Sequence, residues 1–266
     1  MNRLNSAISQ IEQINSLNQR DQWINRIHPL VKLALTIIYI VITVSFDRYD
    51  ISSLVVMALY LWFVFTFREL SFKDALYRIR LVIPVVCLVG IFNPIFDREP
   101  YAIIGGVFIS SGAISMITLS IKGLFALLAA YLLIVTTSID DICYSLRLIH
   151  VPKGIVTVIL LIYRYLFMLI KEVEKVTIAY KLRAPMQKGI HISAWGSLVG
   201  QILLRSMDRA EIIYDAMSLR GYKGEFVSSI NKKMGLADLI YLAVWIVVLL
   251  AIRNTNIVGL VGELFI

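Results

Sequence analysis

Two apolar stretches decide the fold: VKLALTIIYIVITVSF at 31–46 and ISSLVVMALYLWFVFTF at 51–67, with only DRYD at 47–50 between them. Each stretch is close to the shortest helix that crosses a bilayer, about 17 residues. So short a link predicts that the two helices form an antiparallel hairpin within the membrane.

The composition of the whole chain agrees with this interpretation. Of its 266 residues, 59% are hydrophobic and 17% are charged, and the mean hydropathy is +0.79. An ordinary soluble domain has about 45–50% apolar and about 25% charged residues. The composition therefore excludes a single soluble core, and it excludes a disordered chain, which needs low hydrophobicity. It predicts an all-α, polytopic bundle of membrane helices.

Further apolar segments at 81–96, 113–139 and 236–252 bring the predicted spans to five, with six or seven as the alternative. Residues 1–30 are polar and predict an N-terminal cytoplasmic arm without a cleavable signal peptide. The predicted membrane domain covers 31–139. A cytoplasmic domain follows at 140–235, and 236–266 holds the last span and the C-terminus.

The distribution of positive charge orients the predicted bundle. The chain has 26 Lys and Arg against 18 Asp and Glu, and segment 171–235 alone holds eleven basic and six acidic residues. Basic residues concentrate on the cytoplasmic side of membrane proteins. We therefore expect the N-terminus, the 68–80 loop and 171–235 inside the cell. No basic run interleaved with aromatic residues is present, so the expected partner of this charge is the lipid bilayer and not nucleic acid.

Segment 155–170 is apolar but contains Arg164, and an arginine at the centre of a span costs about 2.5–3.5 kcal/mol on insertion scales. Its apolar residues recur in steps of three and four and continue into the charged segment beyond it. The continuing positions are Val173, Val176 and Tyr180. This pattern predicts one long cytoplasmic helix from about Gly154 to Pro185 and not a span.

A second amphipathic helix is predicted in GQILLRSMDRAEIIYDAMSLRGYKG, residues 200–224. Gly221 is expected to end this helix as its C-cap, with Arg220 in the last turn. We expect the apolar stripes of the two helices to pack together and to fill an apolar groove on a partner. The stripe of the second helix consists of Leu203, Met207, Ala210, Tyr214 and Met217.

The first long helix also ends in an arginine, Arg183 in KEVEKVTIAYKLRAP at 171–185. Arginine offers a planar fork of donors that suits carboxylates at an interface. Two arginine-ended helices therefore indicate a docking device. The alternative is that both arginines interact with the last carbonyls of their own helices. Acidic and basic residues on the other faces of the second helix predict a charged surface and not a catalytic site; they are Asp208, Arg209, Glu211 and Asp215.

With these stretches in view, the sequence resembles a known family. RSMDRAEIIYDAMSLRGY at 205–222 and AYKLRA at 179–184 resemble the transmembrane T component of energy-coupling factor transporters, in the cobalt-type CbiQ branch. IHPLVKL at 27–33 and the patch Thr136-Thr137-Ser138 fit the same family.

The resemblance implies the energy-coupling subunit of an ABC-type importer in a prokaryotic inner membrane. Its docking motifs would be Leu182-Arg183-Ala184 and Leu219-Arg220-Gly221. Neither motif keeps the leading alanine of the family motif. The first motif has Ala184, followed by Pro185, at the position where glycine is usual. The implied partners are an ABC-type ATPase dimer, which would bind ATP and magnesium, and a CbiM-like substrate-capture subunit, alone or with a small accessory membrane subunit. The capture subunit would bind cobalt, with nickel or a vitamin as the alternative cargo.

We expect neither a catalytic site nor a metal site within this chain. It has no G-x-x-x-x-G-K-[ST] phosphate loop, and its three histidines and two cysteines are too scattered to predict a metal cage. A stand-alone secondary transporter is an alternative of another class and would need buried charges near the midplane, for which Lys122 is the candidate. A membrane-embedded enzyme would need a convergent polar cluster, and none is visible in the sequence.

Overall fold

The structure, a computed structural model, describes residues 27–47, 51–67, 70–96, 100–104, 107–187, 189–224 and 234–254. Most of the predicted N-terminal arm therefore lies outside the described residues. The described elements are helices apart from one hairpin of two strands. In chain order they are α1 (Pro29–Val44), α2 (Ile51–Val56), α3 (Ala58–Phe67), α4 (Phe72–Ile79), α5 (Ile83–Phe96), β1 (Pro100–Ile104), β2 (Val107–Ser110), α6 (Ser111–Thr136), α7 (Ile139–Leu148), α8 (Lys153–Arg183), α9 (Ile192–Leu219) and α10 (Leu236–Asn254).

The helices form two compact units. One contains α7, α8 and α9, within Ile139–Asn231. The other contains α1 to α6 and α10, within Leu17–Ser138 and Lys232–Ile266. We call the first the α7–α9 unit and the second the membrane unit.

Helix α6 is the central element of the membrane unit, in contact with α1, α3 and α5, while α10 packs against α1. Their shared core is apolar and rich in aromatic residues, and the Tyr60 ring contacts both the Tyr39 ring and, edge to face, the Trp245 ring. At one end, the backbone N–H of His28 donates a hydrogen bond to Asp238 Oδ1 at a distance of 3.0 Å. This bond joins the start of α1 to the start of α10. Outer faces carry exposed apolar side chains, as expected where lipid is the solvent.

The prediction of a helical, multi-pass membrane protein is confirmed, and the number of spans only in part. Among the described residues, three helices are long and apolar enough to cross a membrane, or up to four if one bent pair counts as a single span. The three are α6, α8 and α10. Helices α6 and α10 match the predicted spans at 113–139 and 236–252. Helices α1 and α5, at the predicted spans 31–46 and 81–96, are shorter apolar helices of 16 and 14 residues.

Helix α8 qualifies by length and composition although it was predicted to be cytoplasmic. It is one continuous helix of 31 residues from Lys153 to Arg183, so the prediction of a single long helix ending before Pro185 is confirmed. Its cytoplasmic placement stays a prediction.

The predicted span at 51–67 is helical but has a break at Met57, which divides it into α2 and α3. Ser53–Phe67 and α4 together form the bent pair that is long and apolar enough to count as one span. At the break, the backbone of Met57 makes two hydrogen bonds outside the regular helical pattern. Met57 N–H donates to the Leu54 carbonyl, which closes a tight turn of four residues, and the Met57 carbonyl accepts a hydrogen bond from the Tyr39 hydroxyl at a distance of 3.2 Å. This hydrogen bond joins the break between α2 and α3 to α1.

Strands β1 and β2 lie directly before the predicted span at 113–139. They pair antiparallel, with Ile104 opposite Val107 at the turn. The sequence had predicted no strand here. In retrospect the signal is present, because apolar and β-branched residues flank the pair Gly105-Gly106, the usual composition of a tight hairpin.

Helices α5 and α6 approach each other closely at two glycines. A Cβ added at Gly123 would clash with Cγ1 of Val86, and one at Gly90 would lie 3.1 Å from Cγ of Met116. Small residues permit this kind of close approach between membrane helices. Asn93 Nδ2 on α5 also donates a hydrogen bond to Ser115 Oγ on α6, at a distance of 3.0 Å.

In the α7–α9 unit, α7 and α9 each contact α8. Helix α7 ends at a residue with positive φ, His150 (φ 66°), whose N–H bonds the Arg147 carbonyl while Val151 N–H bonds that of Leu146. These two bonds form a Schellman motif. The chain then turns into α8 after Pro152.

Candidate docking site

The C-terminus of α9 has a defined geometry. Gly221 has φ +85°. Its N–H donates a hydrogen bond to the Ser218 carbonyl, and Tyr222 N–H donates one to the Met217 carbonyl, each at a distance of 3.0 Å. This is again a Schellman motif, with glycine at the left-handed position that side chains disfavour. Helix α9 therefore ends directly before Gly221 as predicted, but the C-cap residue is Arg220, one position past the last helical residue Leu219, and Gly221 takes the next position.

The C-terminus of α8 is built differently. Ala184 leaves the helix with φ −131° and ψ 65°, and its N–H still bonds the Tyr180 carbonyl over 3.0 Å. Pro185 follows and cannot continue the helical hydrogen bonding. The Tyr180 hydroxyl donates to Gln187 Oε1 and accepts from the His191 N–H, so the turn after α8 is held against the last turn of the helix.

Both helix ends expose a leucine beside an arginine. Leu182 is 78% exposed and Leu219 is 90% exposed, and the adjacent Arg183 and Arg220 are exposed as well. Exposed single apolar residues are common on protein surfaces. Here the same Leu–Arg pair occurs at two helix ends, on helices of 31 and 28 residues. Each end therefore offers an apolar contact next to a planar group of five hydrogen-bond donors.

A pair of side-chain contacts joins α8 to α9. Arg205 Nη1 lies 2.6 Å from Glu172 Oε1, and Arg209 Nη1 donates to the sulfur of Met168. Glu172 lies beyond the apolar segment 155–170. The hydrogen bond from Arg205, helped by the charges of Lys175 and Arg209, holds the pKa of Glu172 below its usual value. Glu172 was not singled out from the sequence, because only its position opposite Arg205 distinguishes it from the other surface carboxylates.

The two predicted stripes have different surroundings. On α8, Val176 is buried, and Val173 and Tyr180 are partly buried. On α9, however, no described side chain is buried. The α9 residues beside α8 include Leu198, Ile202 and Arg205.

The α9 stripe therefore does not pack against α8, contrary to the packing that its spacing suggested. Spacing identifies an apolar face but not its partner, and the polar contacts of Arg205 and Arg209 turn a different face toward α8. Leu203, Met207, Ala210 and Tyr214 are exposed and Met217 is partly buried, so the face remains open for contact with another surface.

Two lysines of the membrane unit donate hydrogen bonds to backbone carbonyls at helix ends. Lys122, the candidate midplane charge, donates from Nζ to the carbonyls of Val44 and Phe46 at the end of α1. Lys32 is buried and donates from Nζ to the Thr136 carbonyl in the last turn of α6. The second contact joins two stretches on which the family resemblance rests, 27–33 and 136–138. The sequence did not predict it, because 104 residues separate the partners.

Within the part of the chain that the structure describes, no group of three or more His, Cys, Asp or Glu side chains is arranged to hold a metal ion. Cys143 is buried in α7, and both this burial and the nearby Asp140 carboxylate raise the pKa of its thiol. A raised pKa leaves less of the reactive thiolate at neutral pH.

Known sequences show similarity to this chain. A model of the cobalt transport protein family, CbiQ, matches residues 20–234. The uncharacterized protein MJ1571 of Methanocaldococcus jannaschii is 24% identical over 182 residues, which are 64% of this chain and 62% of that relative. The match thus spans less than two thirds of the relative's length.

Proposed function

Because this chain belongs to the CbiQ family of cobalt transport proteins, we propose that it is the transmembrane coupling subunit of an energy-coupling factor importer. In this proposal the chain binds no nucleotide and catalyses no reaction. It transmits the conformational change of a separate ABC-type ATPase dimer to a membrane subunit that captures the substrate.

One observation carries the proposal: the two exposed Leu–Arg helix ends within the α7–α9 unit. Leu182-Arg183-Ala184 would enter a groove on one ATPase subunit and Leu219-Arg220-Gly221 a groove on the other. Arginine and large apolar side chains in desolvated pockets contribute much of the binding energy of protein interfaces. A helix end also presents these groups in one orientation, since the last turn is fixed by its backbone hydrogen bonds.

The remaining parts of the assembly follow from this assignment. ATP and magnesium would be bound by the ATPase dimer, and the metal ion by a CbiM-like capture subunit, alone or with a small accessory membrane subunit. For the helix ends to reach a soluble ATPase, segment 140–235 and the N-terminus would lie in the cytoplasm. The excess of basic residues in 171–235 supports that orientation in the inner membrane.

Cobalt is the proposed cargo because the family is one of cobalt transport proteins. Nickel, or a vitamin, is the alternative, since the coupling role places no requirement on the cargo within this chain. Uptake of radioactive cobalt and nickel by cells that carry the complete transporter would decide between the two ions.

The docking role is tested by affinity pull-down of the ATPase by the full chain in membranes. We expect Arg183→Glu and Arg220→Glu each to reduce ATPase recovery, because each replaces the donor fork with a carboxylate. Lys181→Glu and Lys223→Glu are matched controls, since they make the same change of charge at exposed positions close to each motif. The amount of each variant in the membrane is measured in parallel.

Loss of ATPase with the two arginine variants and not with the lysine controls would support docking through the helix ends. If the wild-type chain recovers no ATPase, the coupling function is wrong. Equal losses for the arginine and lysine variants would reduce the role of these ends to general electrostatic attraction.

A further inference from the structure

The contacts between α8 and α9 define an antiparallel register. Glu172 meets Arg205, and Met168, four residues before Glu172, meets Arg209, four residues after Arg205. Residues four apart lie one turn apart on the same helix face. The two contacts are therefore successive rungs, and the chain directions of the two helices are opposed.

Apolar packing alone fixes this register weakly. Among the described residues, α9 buries no side chain, and the buried side chains of α8 are Val156, Thr157 and Val176. Close interdigitation of buried side chains normally determines how one helix sits on another. Where that is scarce, a directed hydrogen bond between charged groups has the larger influence on which register is adopted, as charged pairs do in coiled coils.

Glu172 is placed to have that influence. Its side chain is only 18% exposed although the helix around it is largely open, and it lies between Arg205 at 2.6 Å and Lys175 at 3.9 Å. Lys175 is on the same helix and so adds charge without fixing the register. Arg205 alone links the carboxylate to α9 by an ion pair within the described residues.

We propose that Glu172 and Arg205 are positioning residues: their ion pair fixes the point at which α8 and α9 cross and thereby the separation of the two docking ends. This inference rests on the coupling function proposed above. Arg183 lies eleven residues beyond Glu172, and Arg220 lies fifteen residues beyond Arg205 in the opposite direction. At about 1.5 Å per residue, the ends are about 16 Å and about 22 Å from the crossing.

The two docking ends are thus at most about 40 Å apart, and the ion pair lies between them. A slip by one turn at the crossing would move one end by about 5 Å relative to the other. Two ATPase grooves at a fixed spacing could then not receive both ends together. Loss of the ion pair is therefore expected to impair coordinated movement more than attachment of a single end.

The experiment measures the distance between the ends in the full chain, reconstituted in lipid nanodiscs without the ATPase. Spin labels are attached at Met186→Cys and Lys223→Cys, both in exposed positions, in a background of Cys87→Ala and Cys143→Ala. Pulsed electron paramagnetic resonance then gives the distance distribution. We expect one narrow population for the otherwise unchanged chain. Glu172→Gln and Arg205→Met should each roughly double the width of the distribution, because one-turn slips of about 5 Å become accessible.

Two further variants make the result specific. Glu174→Gln removes a carboxylate of the same helix that has no recorded contact with α9 in the described structure, and it should leave the distribution narrow. The double variant Glu172→Gln/Arg205→Met should be no broader than either single variant, because effects that pass through one contact are not additive. Arg205→Lys keeps the charge without the fork and should give an intermediate width.

A distribution that stays narrow in Glu172→Gln and Arg205→Met would overturn the proposal, and so would additive broadening in the double variant. If Arg205→Met does not insert into the membrane, Arg205→Lys and Glu172→Gln carry the same test. The measurement needs no ATPase, so failure of the docking function in the pull-down and failure of this inference give separate results. Where docking is supported, Glu172→Gln should also lower the number of ions imported per ATP hydrolysed while ATPase recovery persists.

Discussion

The ammonium group of Lys32 donates a hydrogen bond to the carbonyl oxygen of Thr136, 2.9 Å away, inside the membrane unit. Lys32 is 8% exposed and belongs to the first turn of α1, whereas Thr136 is the last residue of α6. The carbonyls at the end of a helix have no partner within that helix. Lys32 therefore provides, from another helix, a positive charge where the α6 dipole is negative.

Replacement of Lys32 by methionine should destabilise the membrane unit by about 1–3 kcal/mol, because a buried carbonyl loses a charged donor while the length of the side chain is kept. Thermal unfolding in detergent micelles measures the change. Lys73→Met, which removes an exposed lysine of α4, is the matched control. An equal midpoint for Lys32→Met and the control would show that the Thr136 carbonyl is compensated by other groups.

Gly123→Ala should destabilise the packing of α5 on α6 by about 1–3 kcal/mol, the usual range for an overpacked contact. The added methyl group would clash with Val86 Cγ1. Combining Gly123→Ala with Val86→Ala should recover part of the loss in the same unfolding measurement.

Gly196→Ala on α9 is the control for this pair, since a Cβ there would meet no atom within 4 Å. It is expected to stabilise its helix by up to about 1 kcal/mol through the higher helix propensity of alanine. An equal gain of stability for Gly123→Ala would show that α5 and α6 do not approach closely at this glycine.

Gly221→Val should weaken the end of α9. A Cβ at Gly221 meets no atom within 4 Å, so the effect is purely conformational: a residue with a side chain at φ +85° costs about 1–2 kcal/mol. Hydrogen exchange of the Tyr222 amide, which bonds the Met217 carbonyl, should accelerate, and ATPase recovery should fall with it. Gly221→Asn tolerates this backbone and should exchange nearly as slowly as the wild type; equal rates for valine and asparagine would contradict the argument.

Cys143 should react slowly with maleimide in the folded chain. Its side chain is 1% exposed, and burial raises the pKa of its thiol, so that below this pKa the thiolate fraction is lower than that of a free cysteine at the same pH. The labelling rate should keep rising with pH above about 8.5, where an ordinary cysteine levels off. A cysteine introduced at the exposed Met186 gives the reference curve, and superimposable curves would refute a buried Cys143.

The sequence was most informative where one helix determines its own limits. Helix α8 keeps one periodicity from Gly154 to Pro185, and the end of α9 follows from a glycine directly after an amphipathic stripe. These features depend on residues within a few turns of one another. They were predicted within one or two residues.

The features that were missed depend on contacts between distant segments. The sequence around Met57 contains no helix-breaking residue. The carbonyl at the interruption accepts a hydrogen bond from Tyr39, which lies on another helix. Likewise, the position of Glu172 opposite Arg205 decides which face of α9 meets α8, and the sequence shows only that both faces exist. Periodicity in a single helix carries no information about its neighbour.

The hydrogen bond from His28 to Asp238 spans 210 positions of the chain. During synthesis at about 5–20 residues per second, α1 would wait on the order of 10–40 s before α10 is made. A ribosome that stops after α9 releases a chain with the α7–α9 helices complete and the membrane unit still open. The order of translation thus makes α10 the last helix of the membrane unit to be made, and the contact between His28 and Asp238 forms only after it.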